Sequence, residues 1–284
     1  MTRLAIIGPG LLGGSIALAA RRATGFHVAV WARRTEAIAE LERRALAESA
    51  STDLAAVVQD ADLIVLGVPI GAMASLARQM APLVPRGAVI TDVGSVKAPV
   101  VEELSAIFAE RGRFVGSHPM AGSEQTGLAA ARAGLFDDAA CIVTPDHRSD
   151  ATAVAAVSSL WRTLGGRVLE LSPAAHDEIV ALVSHFPHLL AATLIHLVAE
   201  KNAAAFDFSG PGFRDTTRVA GGPPEMWAEI LYSNRTAVRA SVEAMIEKLR
   251  EIATLLAHDS PMIDFLNQAK MQRDRLRSPK SSHV

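Results

Sequence analysis

One cysteine, one tyrosine and almost no excess of either charge set the first limits on this 284-residue chain. Cys141 has no partner for an internal disulfide, which fits a reducing compartment and a cytoplasmic protein. Lys and Arg number 28 against 30 Asp and Glu, so the chain carries no basic footprint for nucleic acid or a membrane surface. A small anionic substrate would therefore need a local basic site. No uninterrupted apolar run reaches the ~18 residues of a membrane span, and Leu189 to Val198 is shorter and carries His196. Arg3 followed by the apolar stretch Leu4 to Ala20 has the outline of a signal peptide. Gly8, Pro9, Gly10, Gly13 and Gly14 break that stretch, and a strand, a glycine turn and a helix fit it better. What the chain does have is apolar residues, 50% of the total, enough for a sizeable core.

Those residues are patterned. Short apolar runs fall at Leu4–Ile7, His27–Trp31, Leu63–Val68, Val89–Val93, Phe114–Gly116, Cys141–Thr144 and Val168–Leu171. Helical stretches lie between them, at Leu12–Arg22, Glu36–Arg44, Leu54–Gln59, Ala72–Met80, Val100–Arg111 and Ala151–Leu164. Alternation of this kind predicts one parallel sheet covered on both faces, an α/β domain over residues 1–171. After Leu171 the strand pattern stops. Ser172-Pro173 reads as an N-cap with proline in the first helical position, and an all-helical domain is expected over 172–284, interrupted at Gly210–Gly212 and Gly221–Pro224.

Gly8-Pro9-Gly10-Leu11-Leu12-Gly13 follows the first strand and opens the first helix, which is the setting a dinucleotide pyrophosphate requires. Gly8 allows the tight turn, Gly10 lets the backbone approach the phosphates, and Gly13 lets the helix pack on the strand. The helix start at Leu11 and Leu12 offers free N–H groups and the positive end of the dipole. About 20 residues on, the slot for a ribose-binding acid holds Ala32, followed by Arg33 and Arg34. Arginines clamp a 2′-phosphate and cannot accept from a hydroxyl, so NADP is favoured over NAD, with NAD still possible. The missing acid also argues against a methyltransferase on the same turn.

Later strand ends carry Gly67-Val68-Pro69, Asp92-Val93-Gly94-Ser95-Val96-Lys97 and Gly116-Ser117-His118-Pro119-Met120-Ala121-Gly122. Ligands of open α/β sheets bind at that edge, so Val68, Pro69 and Gly94 are expected to face the cofactor. His118 is placed to take a proton from an alcohol as hydride leaves, with Ser95 available to fix the imidazole or the alcohol. In the helical half, Ser184-His185-Phe186-Pro187-His188 resembles a metal set only superficially. No cysteine or carboxylate stands at ligand spacing, and no metal is expected. Arg214 and Arg218 flank Asp215-Thr216-Thr217, and either guanidinium suits a substrate carboxylate.

Taken together, Gly8–Ser15, Asp92–Lys97, Gly116–Glu124, Ser184–His188 and Phe213–Arg218, in that order and spacing, resemble the prephenate/arogenate dehydrogenase family from residue 1 to about residue 260. The resemblance implies oxidative decarboxylation of a cyclohexadienol on the route to tyrosine. It implies His118 as catalytic base and Ser95 as the residue that orients it. His185, Arg218 and Trp227 fall at positions of the family's substrate pocket, Arg218 as the carboxylate ligand. A homodimer built through the helical domain is implied as well. The residues after about 260 are too few for an amino-acid-binding regulatory domain. Glu124 and Gln125 lie near enough in sequence to bear on the choice between prephenate and arogenate. Two other readings stay open: a hydroxyacid dehydrogenase or imine reductase of the same plan, whose catalytic lysine has no counterpart here before Lys201, and an NADP-binding sensor without turnover.

Overall fold

The structure, a computed structural model, describes residues 1–122, 125–256 and 261–276. Six parallel strands, β1 (Thr2–Ile7), β2 (Phe26–Trp31), β3 (Ser49–Ser51), β4 (Leu63–Leu66), β5 (Val89–Asp92) and β6 (Arg113–Phe114), form a sheet in the order β3-β2-β1-β4-β5-β6. Their side chains alternate between two cores. Leu4, Ile6, Leu63 and Val65 face a layer built on α1 (Leu11–Arg22) and α6 (Ala151–Thr163). Ala5, Ile7, Ile64 and Leu66 face the layer of α4 (Ile70–Met80) and α5 (Ala98–Phe108). Each fully buried Leu or Ile stabilises by about 1.5–3 kcal/mol, so the period-2 pattern alone fixes the strand register.

The parallel sheet of the first domain is as expected, but the last strands expected for it lie outside it. β7 (Gly116–Pro119), β8 (Ala140–Thr144) and β9 (Arg167–Glu170) form a separate three-stranded sheet, with β7 antiparallel to β8. The single strand expected at Phe114–Gly116 is two strands. Val115 still donates to Ile90 of the large sheet, and from Gly116 the chain pairs with β8 instead. His118 consequently lies within a strand, opposite Ile142, rather than in a loop at a strand end. β3 went unforeseen, because Ser49-Ala50-Ser51 has none of the branched or aromatic side chains that mark a strand.

Ser172 caps α7 (Pro173–Val180), its hydroxyl accepting from the Ala175 N–H at 3.2 Å. One π turn, Ala181–His185, joins α7 to α8 (Phe186–Asn202). That wider turn absorbs the missing N–H of Pro187 and keeps the helix continuous. By length and composition, the helical run Pro173–Phe208 is apolar enough to cross a membrane, with 28% of its most apolar window buried. Isolated polar residues interrupt the apolar runs within it without much lowering its mean hydropathy. Four of those polar side chains, His176, Asp177, His185 and His188, are buried against the rest of the protein. The chain continues through α9 (Pro211–Thr217), α10 (Pro224–Ser233), α11 (Arg235–Leu255) and α12 (Pro261–Arg275). It divides into two compact units, Met1–Val238 and Arg239–Val284.

Candidate active site

The centre of the large sheet, where β1 has β2 on one side and β4 on the other, is its topological switch point. The turn from β1 to α1 lies there. Gly8 has φ +102°, and a Cβ on it would come within 2.7 Å of Val68 Cγ1 and 2.9 Å of the Gly67 oxygen. A Cβ on Gly13 would lie 2.0 Å from the Gly8 oxygen, so helix and turn touch backbone to backbone. At Gly10, by contrast, a Cβ would meet nothing within 4 Å, and no side chain caps the first turn of α1. Open space in front of uncapped N–H groups is what a pyrophosphate needs, and these residues fit one. Val68 and Pro69 lead from β4 into α4, and Gly94, buried, donates to Asp92 Oδ2 at 2.8 Å. Arg33 and Arg34 are exposed at the start of α2 (Thr35–Arg43), and the would-be acid position, Ala32, is buried.

β7 is fastened to the end of β5 by a buried polar joint. Ser117 Oγ donates to the Asp92 carbonyl at 2.7 Å, accepts from Trp161 Nε1 at 2.9 Å and lies 2.8 Å from Thr91 Oγ1. One hydroxyl thus uses its donor and both lone pairs. Lys97 Nζ, fully buried, donates to Asp92 Oδ2 and to the Ser117 carbonyl, the latter at 3.0 Å. From this joint projects His118, only 7% exposed. Its Nδ1 lies 2.9 Å from Nε2 of His176, whose own Nδ1 lies 2.8 Å from Asp177 Oδ1. Asp177 also accepts the backbone N–H of Lys97 at 2.7 Å and of Ala98 at 2.8 Å, and its carbonyl accepts from Asn234 Nδ2 at 2.8 Å.

Burial keeps this imidazole cluster neutral. It pushes His118 well below the usual histidine range, and the neighbouring His176, Lys97 and His185 add to the effect. His176 is lowered chiefly by burial and partly restored by its bond to Asp177. His185 falls to about 4, again through burial, with Asp177 acting in the opposite sense. Burial lowers His188 too, and lowers Lys97 despite the adjacent Asp92. A depressed histidine pKa has a definite sign in stability. Below about 6.5 the unfolded chain binds protons that the folded one refuses, so stability is full above that pH and declines as pH falls towards the folded value. For His185, with its folded pKa of about 4, the loss by that pH is about 3 kcal/mol. Urea unfolding at pH 7 and pH 4.5 should show it. Replacing His185 with Gln should reduce the difference, and an equal difference in that variant would assign the acid sensitivity elsewhere.

Of the residues singled out from sequence, His118, His185 and Trp227 are brought into this neighbourhood. His185 is fully buried, with Nδ1 3.1 Å from Asn234 Nδ2. The Ser95 backbone comes close enough to favour its protonated form, yet its Nε2 completes no hydrogen bond. Trp227 stands edge-on to His185 at 6.4 Å and stacks flat on His188 at 3.6 Å. Ser95 is half-buried, and the nitrogen of His118 that His176 engages is Nδ1. Arg218 is exposed in the turn after α9, and the backbone of the next residue, Val219, faces His188. Glu124 lies outside the described residues.

Sequence reasoning missed His176, Asp177 and Asn234, and passed over Lys97 although it quoted the segment. The only local signal was a His-Asp pair on an alanine-rich helix, too little to show that both side chains turn inward across 58 to 80 residues of chain.

The cradle at a switch point of this sheet order, with a neutral imidazole cluster at the same edge, is the build of a dinucleotide-dependent dehydrogenase. Comparison narrows the class. Residues 16–170 match the family model described as prephenate dehydrogenase, nucleotide-binding domain, and residues 172–270 match prephenate dehydrogenase, dimerization domain. The chain belongs to the prephenate dehydrogenase family and is an oxidoreductase. It is 35% identical over 259 residues to the cyclohexadienyl dehydrogenase of Zymomonas mobilis, covering 89% of this chain and 88% of the relative. Among solved structures it resembles prephenate dehydrogenase from A. aeolicus in complex with hydroxyphenyl propionate and NAD+, with TM-score 0.91, 28% identity and coverage of 97% and 98%. It also resembles Synechocystis arogenate dehydrogenase, with TM-score 0.85, 30% identity and coverage of 97% and 100%.

Proposed function

We propose that the chain oxidatively decarboxylates prephenate or arogenate with NADP as the preferred cofactor, acting as a cytoplasmic homodimer. The observation that carries the reading is His118. It is a neutral, almost buried imidazole with Nδ1 engaged and Nε2 left for a ligand, at the edge where β1, β4 and β5 end. Nicotinamide, when bound, supplies the hydride acceptor. His118 Nε2 receives the proton of the ring hydroxyl as the ring carbon gives up hydride. The ring carboxylate then departs as CO2, its bonding electrons make the ring aromatic and return to the ring oxygen, and that phenolate takes its proton back from His118, so the protein's task is to position the substrate and to hold one proton in the meantime. The test is absorbance at 340 nm on mixing the protein with prephenate or arogenate and NADP or NAD. No reduction with any of the four pairs would leave the sensor reading standing.

Gly8, Gly10, Leu11, Leu12 and Gly13 cradle the pyrophosphate in this reading, and Val68, Pro69 and Gly94 border the cofactor. Arg33 and Arg34 take the 2′-phosphate. Both are exposed, without an acid at position 32 to compete for the ribose. Replacing both with Ala should weaken NADP by about 10–100-fold and NAD by less than threefold, two charge-assisted contacts being lost. Fluorescence titration reads both, and equal weakening would reject the preference.

Arg218 takes a substrate carboxylate, with His185 and Trp227 lining the pocket. Arg218→Ala should raise KM about 10–100-fold with kcat within a fewfold, and an unchanged KM would move the carboxylate site to Arg214. The boundary between the nucleotide and helical parts is placed at 171/172. Dimerisation is supported by the matched dimerization domain and by Leu182, Val183, Leu190 and Leu197, all exposed along the π turn and α8. Sedimentation of the purified chain checks it.

A further inference from the structure

We propose that His176 and Asp177 are positioning residues that fix the tautomer of His118, holding its proton on Nδ1 and its lone pair on Nε2. The inference rests on the reading of His118 as the base, and follows from counting donors along the chain of hydrogen bonds. The Asp177 carboxylate already accepts two backbone N–H groups, from Lys97 on Oδ1 and Ala98 on Oδ2. A carboxylate so engaged is ionised and has no proton to give. The 2.8 Å contact between its Oδ1 and His176 Nδ1 is therefore donated by His176. His176 is fully buried and neutral, so with its proton on Nδ1 its Nε2 is a bare acceptor. The 2.9 Å contact to His118 Nδ1 must then be donated by His118. Neutral His118 is left with an unprotonated Nε2.

This arrangement matters because a neutral histidine side chain in water prefers the opposite tautomer, with the proton on Nε2. Left to itself, His118 would present an N–H where the reaction needs a lone pair. Among the described residues, the charged and titratable groups around it are His176, Asp177, Lys97, Asp92 and His185. Of these, only His176 touches the imidazole of His118 through a hydrogen bond. The same chain works after proton transfer. Once Nε2 has gained the substrate proton, the positive imidazolium donates through Nδ1 to a ring that is itself tied to the Asp177 anion. That polarisation opposes the burial that would otherwise make His118 a poor base.

The direct test is the 15N spectrum of the full-length protein labelled at histidine, with the His118 signals assigned by their loss in His118→Gln. A protonated Nδ1 and an unprotonated Nε2 at pH 7.5 are expected. Nε2–H in the wild type overturns the proposal whatever the activity shows. In His176→Leu, which removes the acceptor, His118 should turn to Nε2–H and kcat should fall about 10²–10³-fold with KM within a fewfold. In His176→Gln, whose amide oxygen can accept from His118 Nδ1–H, activity should recover to within about tenfold of wild type. Equal loss in the Leu and Gln variants would reduce His176 to a packing residue and overturn the proposal. If the tautomer follows residue 176 while His118→Gln keeps its turnover, the positioning stands and the base assignment falls. The wild-type spectrum decides the matter even if the Leu variant does not fold.

Discussion

Replacing His118 with Asn should lower kcat by about 10²–10⁴-fold, equivalent to about 3–5 kcal/mol of lost transition-state stabilisation. Asparagine can still fill part of the site and bond to His176, but it offers no nitrogen lone pair to receive the hydroxyl proton. Affinity for the dinucleotide should stay within twofold, since the pyrophosphate cradle at Gly8–Gly13 is made of backbone on another strand and helix. KM for the organic substrate should change little if the carboxylate is held elsewhere. Stopped-flow turnover and cofactor titration on the same preparation separate these effects. A variant that retains a tenth or more of wild-type turnover would remove His118 from the proton-transfer step and direct attention to His185, whose buried Nε2 makes no hydrogen bond and whose pKa burial lowers to about 4.

The second large effect concerns folding. Lys97→Met should destabilise the protein by about 3–5 kcal/mol, because it leaves Asp92 as a buried anion without its counter-charge. For a unit of this size, that corresponds to a fall in Tm of roughly 6–20 °C. Asp92 would keep the N–H groups of Gly94 and Ser117, but neither is a full positive charge. The Ser117 carbonyl would lose a donor as well. The double variant Asp92→Asn with Lys97→Met should regain much of the stability, since replacing both charges removes the desolvation problem instead of exposing it. Thermal unfolding of the wild type, the two single variants and the double variant gives the coupling directly. If the effects of the single variants simply add in the double, the two side chains are not acting as a pair. Activity in Lys97→Met should fall with the fold, because Lys97 holds the strand that carries His118.

What the sequence makes legible follows the range of the interactions. The β1–α1 turn can be read from the six residues Gly8 to Gly13 because its chemistry is carried by backbone shape, and shape follows from glycine placement. The start of α7 is legible for the same reason, Ser172 and Pro173 being local instructions. The division of strands at Val115 is not, since nothing in Phe114-Val115-Gly116 shows which neighbour the chain pairs with next. Two sheets meet there, and the choice is made by Ser117 bonding to Asp92 and Trp161, 25 and 44 residues away. The imidazole chain is the extreme case. His118 could be singled out from its setting and from family resemblance, and Ser95 stood close enough in sequence to be offered as its partner. The residue that bonds to it comes from 58 positions further on, in a helix whose composition suggests only packing.

Asp177 also has a mechanical consequence. Its carboxylate binds the two N–H groups at the start of α5, and its carbonyl is held by Asn234 beside α11. Segments before and after Ser172 are thereby tied to one another, together with the strand that bears His118. Any opening at that point would have to break these three hydrogen bonds together, so the position of His118 is coupled to the helix that follows Ser172.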